Sequence, residues 1–240
     1  MMRGLLIAIG FLTRIPVPAS VFDDAQGKAR SLAWYPLVGL LIGLLLYLLQ
    51  WVVQAWAPLL VAALLLSAWV LITGALHLDG LADSADAWIG GMGDRERTLT
   101  IMKDPRCGPA GVVALVLVLL VKFAALASAP MGVWLLLAPV LGRAVLTVAF
   151  LTTPYVRSGG LGSGLMDAPA LACLSMLAMT VLFCLSAGWR GVWVLVAVAV
   201  LFLLWRRACM HRLGGMTGDT CGVLAELTEA VVLVVLAVPH

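Results

Sequence analysis

Charge is scarce in this sequence: Asp, Glu, Lys and Arg together make up 11% of its 240 residues, where a soluble domain carries roughly 25%. With 63% hydrophobic residues and a mean hydropathy of +1.11, the deficit excludes a soluble globular fold. Strict apolar/polar alternation is also lacking, which excludes an outer-membrane barrel. Net charge is only +3, so no nucleic-acid partner is implied. The five cysteines, at positions 107, 173, 184, 209 and 221, are odd in number and form no CxxC pair. Neither a metal knuckle nor a disulfide framework is expected. A cleavable signal peptide is not expected either: "GLLIAIGFL" is short and runs into Thr13-Arg14-Ile15-Pro16 without a small-residue cleavage site. No second domain or internal repeat stands out, so residues 1–240 read as a single domain.

What remains is a set of long uncharged runs. A helix needs about 20 residues to cross a hydrocarbon core of about 30 Å, and seven runs approach this, at about 33–53, 58–76, 111–129, 133–153, 169–187, 189–205 and 222–239. The expected fold is an all-α, polytopic membrane bundle. If the first span runs from inside to outside, the inner segments hold twelve of the 15 Lys and Arg residues, Arg190 alone falls in an outer loop, and Lys122 and Arg143 lie within spans. That asymmetry places the N-terminus in the cytoplasm and the protein in a bacterial inner membrane. The 12 acidic residues follow the same side, so the chemistry belongs on the cytoplasmic face. Residues 1–31 read as an interfacial arm, because their apolar run is too short to cross.

The acids have a geometry. On a helix at 100° per residue, Asp79, Asp83 and Asp86 fall within about 60° of one another. Like charges on one face repel unless a cation screens them, and oxygen-only donors favour Mg²⁺, with Mn²⁺ as a substitute, over Zn²⁺. Mg²⁺ commonly takes one or two carboxylates plus phosphate oxygens. The following "DRERTLTIMKDPRCG" adds Asp104 and the cations Arg95, Arg97, Lys103 and Arg106, able to hold a diphosphate. A basic inner loop is also what topology alone requires, so Arg95, Arg97 and Arg157 read first as solvated or headgroup-facing residues. The three acids have no such explanation. His77 would point about 160° away from Asp79 on a continuous helix, which suits a structural role as well as a catalytic one, unless Gly80 bends the chain. Glycines 90, 91 and 93 end the acidic helix. Further on, "LGGMTGDTCGVLAELTE" offers Asp219 as a helix cap and Glu226 on the same face two turns later, within apolar sequence. Both are candidate ligands, with Glu229 a weaker one; Lys122 and Arg143 are either counter-charges to these acids or snorkelling residues.

Several motifs carry a family resemblance. "GALHLDGLADSADAW" resembles the GxHxDGLADxxDG signature of the cobalamin synthases, with Ala87 where the pattern has glycine. "FLTRIPVP", "YPLVGLLIG", "DRERTLTIMKDPRCGPAG" and "LGGMTGDTCG" follow in that family's order from residue 11 to residue 222. The spacing DGxADxxD is also similar to the first half of the CDP-alcohol phosphotransferase motif, whose second half is not completed. The cobalamin-synthase resemblance implies a Mg²⁺-dependent transferase that joins adenosylcobinamide-GDP to α-ribazole, or its 5′-phosphate, and releases GMP. On this chain it implies Asp79, Asp83, Asp86 and Asp104 as metal ligands and Asp83 or Asp86 as the catalytic group. His77, Lys103, Arg106, Asp219, Glu226 and Arg14 would contact substrate. The implied partners are the two substrates and the lipid bilayer, together with a second copy of the chain or other late-pathway enzymes. The competing class is an ion-coupled transporter using Glu226 and Lys122 as a relay; paired repeats and a midplane site, common in transporters, are not found.

Overall fold

The computed structural model describes residues 2–128, 131–157 and 162–238. Eleven α-helices account for most of them: α1 (Met2–Leu12), α2 (Ala25–Ser31), α3 (Tyr35–Val53), α4 (Pro58–Thr73), α5 (Leu76–Gly90), α6 (Arg95–Ile101), α7 (Pro109–Ser128), α8 (Leu137–Thr152), α9 (Ala170–Leu185), α10 (Trp189–Leu213) and α11 (Gly218–Ala237). The only extended pairing among the described residues is an isolated parallel bridge between Tyr155 and Met216. The protein is a multi-pass helical membrane bundle.

Helices occur at all seven expected runs, but they are not seven equal spans. Among the described residues, five segments are long and apolar enough to cross a membrane: Ala25–Val53, Pro109–Ser128, Gly132–Thr152, Trp189–Leu213 and Gly218–Ala237. A sixth exists only if α4 and α5 count as one broken span, bent by 88°. The break is local. Gly74 and Ala75 both sit in the left-handed region, at φ 62° and φ 58°, which ends α4 and starts α5 at nearly a right angle. For Ala75 that conformation is strained. α9, with 16 residues, covers only about 24 Å at 1.5 Å per residue.

The helices are unequally placed. In Gly132–Thr152, most of which is α8, and in α11, 83% and 72% of the most apolar stretch is buried; in α10 the share is 11%. α8 and α11 therefore form the centre, and α10 presents most of its surface outward. Close crossings depend on glycine. A Cβ on Gly80 would lie 2.8 Å from the Asp219 carbonyl oxygen, and one on Gly222 would lie 2.8 Å from the His77 carbonyl oxygen, so α5 and α11 touch backbone to backbone. Gly39 does the same for α3 against Pro139 of α8, where a Cβ would come within 2.3 Å of the carbonyl oxygen.

Charge inside the bundle is balanced. Lys122 Nζ on α7 donates to Glu226 Oε2 and Glu229 Oε2 of α11, each at 2.5 Å, and Arg143 Nη1 on α8 donates to Glu229 Oε1. All four side chains are buried, and Lys122 also lies over the Trp69 ring, 4.9 Å from its centroid. Lys122 and Arg143 are thus counter-charges and do not snorkel. Two cations and two anions sum to zero, which makes their burial tolerable.

Candidate functional site

The N-terminal arm is folded onto the helix break. The Arg14 amide donates to the Ile72 carbonyl at 2.7 Å, and the Arg14 side chain covers Gly74, where a Cβ would meet Nε at 2.0 Å. Arg14 thus clamps the turn that aims α5, and Phe11 from the same arm lines a cavity of about 430 Å³. α5 contributes His77 and Asp79 to that cavity, α11 contributes Asp219, and the segment after α8 contributes Tyr155 and Arg157.

Arg157 and Asp219 meet because two loops pair. The Val156 amide donates to the Met216 carbonyl at 2.9 Å, and the Met216 amide donates to Pro154 at 2.8 Å. The turn into α11 is then fixed by a capping box: the Thr220 amide donates to Thr217 Oγ1 at 3.2 Å, and the Thr217 amide donates to Thr220 Oγ1 at 2.8 Å. Thr217 is therefore the helix cap, not Asp219 as the sequence suggested, because Thr217 has the extended backbone that a cap requires. Asp219 is left free in the first turn and accepts a hydrogen bond from Arg157 Nη1 at 3.0 Å.

This ion pair borders a second cavity of about 230 Å³, lined by Arg95, Lys103, Met102, Thr217, Arg157 and Asp219. Arg157 and Asp219 belong to both cavities. Arg95 is held in place by its Nε, which donates to the Leu213 carbonyl at 2.7 Å.

The three acids of α5 separate in role. Asp79 lines the larger cavity. Asp83, one turn on and half-buried, has its carboxyl pushed up to about 6, first by burial and then by the charges of Asp79, Asp219 and Asp86, with Arg157 opposing. Asp86 accepts the Gly108 amide at 2.7 Å on Oδ2 and the Gly111 amide at 2.9 Å on Oδ1, the geometry of a cap on α7. Asp104 lies on the exposed loop, where Arg106 donates to it at 2.9 and 2.6 Å; that partner holds its carboxyl down to about 2. Neither Asp104 nor Arg106 lines either cavity. Glu226 is buried in the charge network with Lys122. His77 lines the larger cavity despite its angle from Asp79, and its Nδ1 has no partner among the described residues. α5 continues unbroken through Gly80, so the cavity wraps the start of the helix and needs no bend there.

Among the described residues no three His, Cys, Asp or Glu side chains converge tightly enough to enclose a metal. The donor set nonetheless suits a hard cation that retains water and shares substrate oxygens. It consists of carboxylates only, and the Asp83 carboxyl is raised first by burial and then by the negative charges of Asp79, Asp219 and Asp86. Sequence reasoning missed Arg157 as a site residue, and also Phe11, Tyr35, Phe150 and Tyr155. "FLTRIPVP" was the available signal for Phe11 and "YPLVGLLIG" for Tyr35; Phe150, Tyr155 and Arg157 sit singly in apolar or loop sequence.

The chain is thus a helical membrane protein whose carboxylate cluster is set against a cation-lined cleft, an arrangement suited to binding phosphates. A family model described as cobalamin-5-phosphate synthase matches residues 4–237, and the chain belongs to that family. It is 53% identical to the adenosylcobinamide-GDP ribazoletransferase of Stutzerimonas stutzeri over 240 residues, 98% of each chain. Relatives of the same name in Pseudomonas fluorescens and Pseudomonas putida are 54% identical, covering 95% of this chain and 96% of theirs, and 55% identical, covering 98% and 99%. No solved structure matches.

Proposed function

We propose that this protein is an adenosylcobinamide-GDP ribazoletransferase, joining adenosylcobinamide-GDP to α-ribazole or its 5′-phosphate at the cytoplasmic face of the inner membrane. The observation that carries this reading is the junction of the two cavities, where Asp79 of α5 and Asp219 of α11 lie beside Arg157, with Arg95 and Lys103 in the adjoining cleft and Asp83 one turn along α5 within reach of the charges of Asp79, Asp219 and Arg157. Family membership and the relatives' printed names support it.

The reaction forms a bond between the ribose 3′-oxygen of the acceptor and the phosphorus on the cobinamide side. The phosphoanhydride bond to GMP breaks, and the hydroxyl proton must leave. Asp79 and Asp83 would hold Mg²⁺, or Mn²⁺ in its place, which when bound would offset charge on the diphosphate and on GMP. Arg95, Lys103 and Arg157 grip the phosphates through charge-assisted hydrogen bonds, and fixing both reactants is the main catalytic contribution. Asp219 stands at the junction and accepts the proton once Arg157 turns from it to the diphosphate. Asp86 holds the start of α7 and Asp104 orders the α6–α7 loop; both act on the site from outside it. Arg14 holds the α4–α5 turn and His77 lines the cavity beside it; a second copy of the chain or neighbouring pathway enzymes would be its protein partners.

The test is incubation of the purified protein in lipid with adenosylcobinamide-GDP, α-ribazole and Mg²⁺. The expected result is equimolar GMP and complete corrinoid, abolished by chelator. Folded protein that releases no GMP would refute the reading.

A further inference from the structure

Building on that reading, we infer that the two cavities divide the substrates: the aromatic cavity takes the flat benzimidazole ring of the acceptor, and the cationic cleft takes the diphosphate of the donor. The larger cavity has aromatic walls that are already paired. Phe11 stacks on Tyr35 with ring centroids 6.4 Å apart and planes 22° apart, and Phe150 stacks on Tyr155 at 5.7 Å and 28°. All four rings line the cavity. Preformed aromatic faces of this kind suit insertion or edge contact of a planar heterocycle. A volume of about 430 Å³ lies in the range of about 300–1,000 Å³ typical of small-molecule sites. It suits a bicyclic base with a sugar, and a corrinoid macrocycle with its amide arms is too large for it.

Charge makes the assignment one-way. The aromatic cavity carries the carboxylates of Asp79 and Asp219, and Arg157 is its one Lys or Arg among the described lining residues. Apart from a cation held at its edge by Asp79, a diphosphate placed there would meet like charge in a poorly screened site. The cleft has the opposite balance, with Arg95, Lys103 and Arg157 around the single acid Asp219. At about 230 Å³ it can enclose the phosphates but not a ring system as well, so the guanosine of the donor, or of GDP, would extend outside it. Because Arg157 and Asp219 border both spaces, a sugar hydroxyl carried by a ring in one cavity reaches a phosphorus held in the other. Tyr155, two residues before Arg157 on the bridged segment, ties the stacking surface mechanically to the phosphate grip.

The division is tested by splitting Michaelis constants. Phe150→Ala and Tyr155→Ala should each raise KM for α-ribazole about 10-fold, the size of one lost base–aromatic stack, with KM for the donor within about twofold of the parent. Lys103→Ala should do the reverse. GDP, used as a probe of the cleft, should compete with the donor and not with the acceptor. Equilibrium binding of α-ribazole alone, followed by its own fluorescence without donor or metal, gives a second readout; Phe150→Leu, which preserves bulk, should weaken it severalfold. Aromatic variants that raise the donor KM instead, GDP that competes with the acceptor, or α-ribazole binding unchanged in Phe150→Leu would each overturn the division. If the unaltered protein turns over both substrates, such results leave the transferase reading intact. Absence of turnover would sink that reading, while the binding measurement still decides where the ring sits.

Discussion

Asp83 is half-buried and faces the charges of Asp79, Asp219 and Asp86, so its ionised form is disfavoured first by burial and then by like charge. Its carboxyl is raised to about 6 from an ordinary 3.8. Between those values the folded protein keeps a proton that the unfolded chain has released. Stability contributed by Asp83 is therefore present below about pH 4 and is lost as pH rises through about 6. In chelator, the apparent Tm of the wild type should fall across this window relative to Asp83→Asn, and the difference should close at lower pH; parallel profiles would show that Asp83 carries no such burden. Asp86 makes a contrasting case. Asp86→Ala removes the acceptor of two backbone amides and should destabilise by about 0.5–2 kcal/mol, as lost helix caps do. Asp83→Asn should reduce turnover at least about 100-fold, as loss of one transition-state electrostatic group does, with normal membrane insertion. Helical spacing placed Asp79, Asp83 and Asp86 on one face of a continuous helix, yet it could not show which of them is claimed by distant backbone amides. That depends on Gly108 and Gly111, 22 and 25 residues further along. Arg157 was hidden for the same reason: its partner Asp219 is 62 residues away.

At the scale of elements, the site depends on two thin contacts. The left-handed pair Gly74–Ala75 turns α5 through 88°, and Gly80 with Gly222 lets α5 lie directly on α11. Gly80→Ala and Gly222→Ala should each destabilise by about 1–3 kcal/mol, the usual range for overpacking. Turnover should fall with them, because Asp79 and Asp219 ride on opposite sides of that crossing; denaturation and GMP-release assays on the same preparations would show both effects. The hydropathy pattern located the helices well. It did not reveal the turn after Thr73, because an apolar run of adequate length reads as one span whether or not it breaks. Nor did it distinguish α8, at the centre, from α10, at the periphery, since side chains facing lipid and side chains facing protein are equally apolar.

For the whole molecule, the buried Lys122–Glu226–Glu229–Arg143 group joins α7, α8 and α11. Glu229→Gln leaves a cation without its partner and should cost about 3–5 kcal/mol, whereas replacing Lys122 and Glu226 together by Met should cost much less than either single change; folded yield and apparent Tm in detergent would record this. The group is neutral and closed on itself, the arrangement of a structural clasp, and a proton or ion relay would need charges continuing onward. The central claim is that carboxylates of α5 hold a divalent ion against the donor's phosphates. Mn²⁺ binding to the protein in lipid nanodiscs, followed by electron paramagnetic resonance with GDP present, tests it most directly. The account predicts that Asp79→Asn and Asp83→Asn each weaken Mn²⁺ binding at least about 10-fold, while Asp104→Asn leaves it unchanged. Equal binding in the wild type and Asp83→Asn, or loss of binding in Asp104→Asn alone, would contradict it.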